Sequence, residues 1–221
     1  MIPIRTFWDW FGSYPDHLKR PWLIVGKGPT FSLRHRLKER EHWVFGLNDV
    51  CNFMPTHVTH VCDADVIPRI ADALPRSGHL VMPYFPHVKF KPSQFHPLPV
   101  FLDDRRVVET ISHPLKGMYD ARRLLTYRSS RSSAFHGQPP IGPKVNVRYF
   151  SAVAVVNMLA MAGVKKIHTL GVDGGTKYAV EFADTKPLTN GQKSFDVQFL
   201  EIQKTVAAWG VDFKALTEKD L

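Results

Sequence analysis

The sequence SAVAVVNMLAMAGVKKIHTLGVD, residues 151–173, decides the fold class. Residues 151–163 are apolar on nearly every face, a pattern typical of a helix that is buried on all sides. The segment KIHTLGVD, residues 166–173, then predicts a strand. Because a buried helix leading into an apolar strand is the crossover of a parallel sheet, this block favours an α/β protein.

The same alternation extends outward in both directions. Short helical patterns separate the apolar runs at 32–41 and 66–74, and an amphipathic helix is predicted over 195–209. The predicted strands beyond the central block are 22–26 (WLIVG), 43–47 (WVFGL), 57–62 (HVTHVC), 79–82 (HLVM) and 211–216 (VDFKAL). We therefore expect a Rossmann-like, mostly parallel sheet with helices on both faces, in which residues 1–221 form a single nucleotide-binding domain.

One segment interrupts this pattern. Residues 84–147 contain eight prolines and a Ser-rich stretch, SSRSSAFHGQPP, and we expect a long lid-like insertion there, with a helix over 120–128 (DARRLLTYR). Residues 85–148 carry eleven Lys and Arg but four Asp and Glu, a net charge of +7 out of +9 for the whole chain. Such a basic segment attracts phosphates, whether on a small nucleotide, a nucleic acid or a lipid head group.

Composition limits the setting of the protein. No apolar run approaches the roughly 20 residues of a membrane span, and the N-terminus lacks the apolar core of a signal peptide. We expect Trp8, Trp10 and Phe11 to pack onto the domain, with a peripheral membrane or partner contact as the alternative. Because Cys51 and Cys62 form neither a C-x-x-C pair nor a metal-ligand spacing, they predict reduced core thiols and a cytoplasmic protein.

Polar and glycine residues follow the predicted strands at the point where each strand ends. In a parallel α/β sheet these turns share one edge, where ligands bind. Backbone N–H groups at 28–32 and 151–154 are predicted to hold anions, although Thr30 and Ser151 are also explained as simple N-caps. The residues predicted to meet at this edge are Gly26, Gly28, Pro29, Thr30, Asn48, Asp63, Asp65, Arg148, Ser151, Gly171 and Asp173.

Asp63 and Asp65 leave two interpretations open. A D-x-D pair holds a divalent cation and a nucleotide diphosphate in many glycosyltransferases, because two nearby carboxylates suit Mg²⁺ or Mn²⁺. The same pair at the start of a helix also serves as a cap. A metal site at Asp63 and Asp65 is therefore one hypothesis, and no cofactor is fixed by the sequence.

The block from Arg148 to Asp173 resembles that of the bacterial sialyltransferases that modify lipooligosaccharides. There, an Arg-x-x-Ser-Gly start leads through an apolar helix and a Gly to a strand ending in Gly-Ile-Asp. Upstream, Gly26-Lys27-Gly28-Pro29-Thr30 is similar to the family's Gly-Asn-Gly-Pro-Ser, and the strand ending in Asn48 also has a counterpart. Downstream, Lys177-Tyr178-Ala179 is similar to a Ser-Tyr-Ala stretch whose tyrosine touches the donor.

This resemblance implies a metal-independent, inverting glycosyltransferase with a CMP-sialic acid-like donor and a glycan-type acceptor. Arg148, Ser151, Asn48 and Thr30 would contact the nucleotide, and Tyr178 would help to neutralise the leaving phosphate. Three departures stand out. Lys27 replaces an asparagine and Ala152 replaces a glycine. No histidine follows His168, so the family's general base has no counterpart. Asp63, Asp65, Asp173 or a histidine of the insertion is left to take that role.

Two other functions remain open. Gly-x-Gly-Pro-Ser followed by a buried helix and a Gly-x-Asp strand also resembles the 6-hydroxymethylpterin pyrophosphokinase-like proteins and motility-associated glycosylation factors, which implies an ATP- and Mg²⁺-dependent diphosphotransferase. A non-catalytic protein that binds nucleic acid or a membrane surface through its basic segment is the third hypothesis. Nucleic acid is disfavoured, because Trp and Phe are not interleaved with the basic residues as a stacking platform requires.

Overall fold

The computed structural model describes residues 4–38, 40–84, 86, 113–130, 142–148, 150–187 and 189–221. In these residues, nine strands form a sheet of order β1-β6-β5-β4-β3-β2-β8-β9, with β7 paired to β6, and every pair is parallel. The strands are β1 (Arg5–Thr6), β2 (Trp22–Val25), β3 (Trp43–Leu47), β4 (Val58–His60), β5 (His79–Pro83), β6 (Leu124–Ser129), β7 (Lys144–Val145), β8 (Lys166–Leu170) and β9 (Asp212–Ala215).

Helices connect the strands of this sheet. The α-helices are α1 (Phe7–Gly12), α2 (Ile67–Ile70), α3 (His113–Asp120), α4 (Ser151–Met161) and α5 (Val197–Trp209). Short 3₁₀ helices lie at Pro15–Leu18, Pro29–Arg36, Asn48–Asn52, Ala64–Val66, Leu74–Arg76, Val180–Phe182 and Glu218–Asp220. None of the helices in the described ranges has the length and apolar sequence that a bilayer crossing requires.

Alternating side chains of the central strands pack against helices on the two faces of the sheet. On β2, Trp22 and Ile24 join a core cluster with residues of α1, α4 and α5. Leu23 and Val25, which point the opposite way, pack with Phe31 of the 3₁₀ helix Pro29–Arg36. Because all four β2 side chains are buried, the strand reads as a continuous apolar run, as parallel strands do.

The α/β prediction is confirmed, and so are most of its elements. Each of the six predicted strands is present, with boundaries shifted by no more than a few residues. The buried helix predicted from residue 151 is α4, and the amphipathic helix predicted over 195–209 is α5. The helix predicted over 32–41 is instead the 3₁₀ helix Pro29–Arg36, because Pro29 sets its first turn and the chain is already extended at Leu37.

The helix predicted over 120–128 is wrong. Residues Leu124–Ser129 form β6, which lies between β1 and β5 in the sheet. The preceding helix α3 ends at Asp120, and Arg122 adopts a left-handed backbone (φ 56°) that turns the chain into the strand. Leu, Arg and Ala favour helices locally, but burial of Leu124 to Tyr127 between two strands overrides that preference.

Part of the predicted insertion therefore belongs to the sheet itself. Within residues 84–147, the described stretch 113–130 supplies α3 and β6, and Leu115 and Met118 of α3 pack beneath the sheet. Residues 87–112 and 131–141, which carry a net charge of +2 out of the +7, lie outside the described residues. A lid over the sheet edge stays a prediction for those segments.

The N-terminal aromatic residues pack as predicted. Trp10 and Phe11 are buried in α1, and Trp8 is half-buried against the ring of Phe7. A peripheral membrane or partner contact of this segment stays a prediction. The two cysteines are free thiols, Cys51 buried and Cys62 half-buried.

Candidate functional site

A pocket of about 460 Å³ opens at the carboxyl edge of the sheet. It spans the ends of four neighbouring strands (β4, β3, β2 and β8), a width of about 14 Å at the usual strand spacing. Nine of the residues predicted to form a site line this pocket: Gly26, Lys27, Gly28, Asn48, Asp63, Ser151, Gly171, Asp173 and Tyr178. The strand-end argument thus brings together residues that are up to about 150 positions apart in the sequence.

Four predicted site residues are not part of this lining: Pro29, Thr30, Asp65 and Arg148. The Arg148 side chain is 56% exposed, and its Nη1 lies 3.6 Å from Oε1 of Glu201 on α5. Its neighbours in the chain, Val147 and Phe150, do line the pocket. Arg148 therefore lies beside the pocket, and its contact with a nucleotide remains a prediction.

Thr30 joins two strand-end turns through hydrogen bonds that sequence reasoning did not predict. Its backbone N–H donates to Oδ2 of Asp173 at 2.7 Å, and its hydroxyl donates to the same carboxylate at 2.8 Å. The Thr30 hydroxyl also accepts from the backbone N–H of Gly171 at 2.7 Å. One side chain thereby fastens the turn after β2 to the turn after β8.

The predicted anion site at residues 28–32 is therefore wrong. The N–H of Gly28 donates to Gly171 O, that of Phe31 donates to Gly28 O, and that of Thr30 is taken by Asp173. Pro29 has no N–H to offer. The positive end of this 3₁₀ helix is neutralised by the protein's own carboxylate, and the N–H groups of Gly28, Thr30 and Phe31 are taken by protein acceptors.

Gly26 and Gly28 are explained by close packing between the same two turns. A Cβ at Gly26 would lie 2.4 Å from Gly171 O, and one at Gly28 would lie 2.6 Å from an Asp173 carboxylate oxygen. No larger residue fits at either position unless the backbone moves. The two glycines also line the pocket, but packing alone requires them.

Asn48 combines a left-handed backbone with a buried side-chain oxygen that has no hydrogen-bond partner among the described residues. It follows β3 in the left-handed region (φ 53°), a conformation that costs free energy in any residue other than glycine. Its Oδ1 is buried and accepts no hydrogen bond from any described residue, while the residue lines the pocket. A buried acceptor without a donor is costly, and a ligand hydroxyl or amino group would satisfy it.

Two cations share one buried carboxylate at the floor of the pocket. Lys27 Nζ lies 2.9 Å from Asp49 Oδ2, and Arg69 Nε lies 2.9 Å from Asp49 Oδ1. Burial alone raises the pKa of Asp49, but the hydrogen bonds and charges of Arg69 and Lys27 outweigh it and hold that pKa below its ordinary range. The carboxylate thus stays ionised and fixes both cations, which line the pocket.

Of the two acidic residues that follow β4, Asp63 and Asp65, only Asp63 lines the pocket. Asp63 lines the pocket, whereas Asp65 in the 3₁₀ helix Ala64–Val66 lies behind it, where its carbonyl accepts from Arg69 at 3.3 Å. The hydrogen bond with Asp49, together with the charges of Asp65 and Asp63, raises the pKa of Arg69. In the described part of the chain, no group of three or more His, Cys, Asp or Glu is placed to hold a metal ion.

Helix α4 begins at the pocket. Ser151 is its first residue, and the N-cap position is held by Phe150 without any side-chain cap, so the predicted N-cap role of Ser151 is wrong. Ser151 and Ala152 line the pocket. The positive end of this eleven-residue helix is therefore directed at the space where an anion would bind.

An aromatic wall completes the pocket, and sequence reasoning missed most of it. The wall consists of Phe150, Tyr178 and Phe195, and all three line the pocket. The Tyr178 and Phe195 rings stack with centroids 5.5 Å apart, and Phe150 meets Phe195 edge-on at 5.4 Å. Lys27 Nζ lies 4.5 Å from the centroid of the Tyr178 ring. No local pattern marks Phe195, which precedes α5 in a loop.

Cys62 is the one described cysteine in the pocket lining, and a buried polar pair lies behind it. His60 Nε2 and the Tyr127 hydroxyl are 2.9 Å apart, and Cys62 Sγ lies 3.7 Å from each. Burial lowers the pKa of His60 to about 3, so its imidazole is neutral at physiological pH. His60 does not line the pocket and is not placed to take a proton from an acceptor there.

Comparison with known proteins adds no family to this description. No protein-family model, no curated protein and no solved structure matches the chain.

Proposed function

We propose that the protein is a glycosyltransferase that binds a nucleotide-activated sugar in the carboxyl-edge pocket. The observation that carries this proposal is the convergence, at four strand ends, of a helix N-terminus, two fixed cations, an amide acceptor without a donor and a carboxylate. A nucleotide sugar is a ligand whose parts match this set, because it combines phosphate, ribose hydroxyls and a transferable group. A pocket of about 460 Å³ is of the size that small-molecule sites have.

The phosphate of the donor would bind at the start of α4. The N–H of Val153 donates to Phe150 O, so the N–H groups of Ser151 and Ala152, the helix dipole and the Ser151 hydroxyl would hold the anion. Lys177 and Lys186 line the mouth of the pocket and are exposed, so they can approach the same anion. These groups stabilise the charge that develops on the phosphate as the sugar leaves.

Asp63 is the best-placed group to activate the acceptor. In the transfer step, the acceptor hydroxyl oxygen forms a bond to the anomeric carbon of the sugar. The bond from that carbon to the donor phosphate oxygen breaks, and its electron pair stays on the phosphate. The hydroxyl proton passes to the Asp63 carboxylate. Of the other carboxylates considered, Asp173 is engaged by Thr30 and Asp65 lies behind the pocket.

The resemblance to bacterial sialyltransferases supports a CMP-sialic acid-like donor, with two adjustments. Lys27, which replaces the family's asparagine, is held by Asp49 and lies against Tyr178. Asp63 takes the part of the histidine that the chain lacks. The glycan-type acceptor would enter from the β4 side of the pocket, where Asp63 lies.

A diphosphotransferase that uses ATP and Mg²⁺ is the second candidate. Asp63 and Asp65 both follow β4, and the charges of both act on the same guanidinium, Arg69, so the two carboxylates share one corner of the site. Mg²⁺ commonly binds through one or two carboxylates together with substrate phosphates, so the pair fits that ion only when the phosphates complete its ligand set. The two functions differ in their need for Asp65. The diphosphotransferase requires both Asp63 and Asp65, whereas the glycosyltransferase requires only Asp63.

Donor turnover with the variants Asp63→Asn and Asp65→Asn separates them. For a glycosyltransferase, nucleotide release from a CMP- or UDP-sugar falls by about 10²- to 10⁴-fold in Asp63→Asn, is kept in Asp65→Asn and survives EDTA. For the diphosphotransferase, ATP consumption requires Mg²⁺ and is lost in both variants. If wild-type protein binds no nucleotide or nucleotide sugar, both functions are wrong.

A further inference from the structure

The aromatic wall of Phe150, Tyr178 and Phe195 gives one side of the pocket an apolar surface. Phe150 and Phe195 are 9% and 8% exposed, and Val147 and Val172 extend the apolar area. Nucleobases pack well against aromatic side chains. The wall has a shape and chemistry that neither a phosphate nor a sugar requires.

A buried amide lies beside this wall. Gln198 on α5 is 5% exposed, lines the pocket and begins one turn after Phe195, whose carbonyl accepts its backbone N–H. The Gln198 Nε2 donates to the backbone carbonyl of Asp173 at 3.3 Å. A carbonyl oxygen can only accept, so the amide must turn its NH₂ group toward Asp173.

The orientation of the amide leaves its oxygen available. No described residue donates a hydrogen bond to Gln198 Oε1. Because Gln198 lines the pocket, this oxygen can accept a hydrogen bond from a ligand N–H. Gln198 therefore offers an acceptor to a group that packs against the aromatic wall.

The position of α4 indicates which part of a nucleotide would pack against the aromatic wall. Phe150 belongs to the wall, and the next residue, Ser151, starts the helix that would hold the phosphate. The wall and the phosphate site are thus adjacent, as base and phosphate are in a nucleotide. Asp63 lies at the end of β4, three strands away from β8, where Asp173 and the wall begin.

We infer that Phe150, Tyr178 and Phe195 form a nucleobase subsite in which Gln198 Oε1 selects cytosine over uracil, or adenine over hypoxanthine, through the amino group at cytosine C4 or adenine C6. This inference rests on the proposed function, since the base belongs to the bound nucleotide. It also orients the ligand, with the base at the β8 side of the pocket and the transferred group at the β4 side.

Paired nucleotides in which this group is replaced provide the test. Isothermal titration calorimetry compares CMP with UMP, and AMP with IMP. In the second member of each pair a carbonyl oxygen replaces the amino group and the neighbouring ring nitrogen carries a proton, while the phosphate and ribose stay the same. The carbonyl would face Gln198 Oε1 with a second acceptor, so the amino member should bind about 10- to 100-fold more tightly in at least one pair. Phe195→Leu should weaken both members of that pair about equally, by roughly 10-fold.

The variant Gln198→Met removes the acceptor and should reduce the preference to less than about 3-fold. Gln203→Met, at an exposed position on the same helix, is the matched control and should leave the preference intact. Equal affinities within both pairs in wild-type protein, or a preference that Gln198→Met leaves unchanged, would overturn the subsite while leaving the proposed function in place. Absence of binding by all four nucleotides and by nucleotide sugars would overturn both.

Discussion

The Asp173 carboxylate accepts two hydrogen bonds from Thr30, a residue 143 positions earlier in the chain. This contact joins the turns after β2 and β8, which are neighbouring strands in the sheet. It also occupies the start of the 3₁₀ helix Pro29–Arg36, whereas the start of α4 lines the pocket. Of the two anion sites that the sequence predicts, the first is therefore a latch within the protein, and the one at α4 stays a prediction.

The latch should contribute to stability through the Thr30 hydroxyl. Thr30→Val keeps the shape of the side chain but removes the donor to Asp173 and the acceptor for the Gly171 N–H. We expect a loss of about 1–3 kcal/mol in the free energy of unfolding, measured by urea denaturation. Thr30→Ser retains the hydroxyl and should lose less than half as much. Equal losses in the two variants would show that the hydroxyl is not what matters.

The shared carboxylate at the pocket floor should be worth more than either of its ion pairs. Asp49→Asn leaves the Lys27 ammonium, whose side chain is 10% exposed, without its counter-ion, and should cost about 3–5 kcal/mol. Arg69→Met should cost about 1 kcal/mol or less, because Arg69 is 46% exposed and Asp49 keeps Lys27. Urea denaturation of both variants measures the difference. Similar costs would contradict the assignment of Asp49 as the common anchor.

Asn48 should be a residue at which stability and binding oppose each other. Asn48→Gly relieves the left-handed backbone and loses no hydrogen bond to Oδ1, so stability should be unchanged or rise by up to about 1 kcal/mol. Nucleotide affinity should fall about 10-fold, because the acceptor is gone. Arg122→Gly removes a similar backbone strain (φ 56°) far from the pocket and should leave affinity unchanged. Thermal denaturation and calorimetry on both variants provide the two readouts.

Histidines at the amino edge of the sheet should make the protein sensitive to mild acid. Burial lowers the pKa of His17 and His57, and lowers that of His79 to about 4. His57 Nδ1 accepts the backbone N–H of Val44 at 3.0 Å, which requires the unprotonated nitrogen. Two further histidines, His42 and His168, share a hydrogen bond of 2.8 Å, and their pKa values are lowered by burial as well.

The free energy of unfolding should fall as the pH falls, because these histidines bind protons less readily in the folded protein than in the unfolded chain. A histidine with a lowered pKa binds fewer protons in the folded state than in the unfolded chain, so its contribution is complete above pH 6.5 and is lost as pH falls toward 4. Each such histidine adds at most about 1.4 kcal/mol per pH unit to the slope. The free energy of unfolding, measured by chemical denaturation about every half pH unit between pH 7.5 and pH 4, should show this loss. The variant His79→Gln should lose less stability over the same range. A flat profile above pH 4.5 would contradict the prediction.

The fold was predictable where short-range pattern and burial agree. The sequences of β2 and β3 are apolar throughout, which predicts buried parallel strands. The sequence of α4 is apolar on all faces, which predicts a buried helix. Strand β6 was not predictable in this way. Its residues favour a helix locally, and only the neighbouring strands β1 and β5 provide the burial that makes them a strand.

The candidate site follows the same division. Asn48, Asp63 and Asp173 are found because each follows a predicted strand, and parallel strands bring such residues to one edge. Asp49, Arg69 and Gln198 are missed, since each lies within a stretch that reads as a turn or as one face of a helix. Their importance comes from contacts across the fold, such as the ion pairs at Asp49, for which no local spacing exists.

Hydrogen–deuterium exchange with and without nucleotide tests the central claim most directly, because it reports where a ligand binds. CMP, UDP and ADP are each added at saturation, the last with and without Mg²⁺. Protection is expected at the strand ends and at the start of α4, in peptides that contain Gly28, Asn48, Asp63, Ser151 and Tyr178, and not in amino-edge peptides such as that of His57. Protection confined to the amino edge, or none with any nucleotide that binds, would contradict a nucleotide pocket at the carboxyl edge.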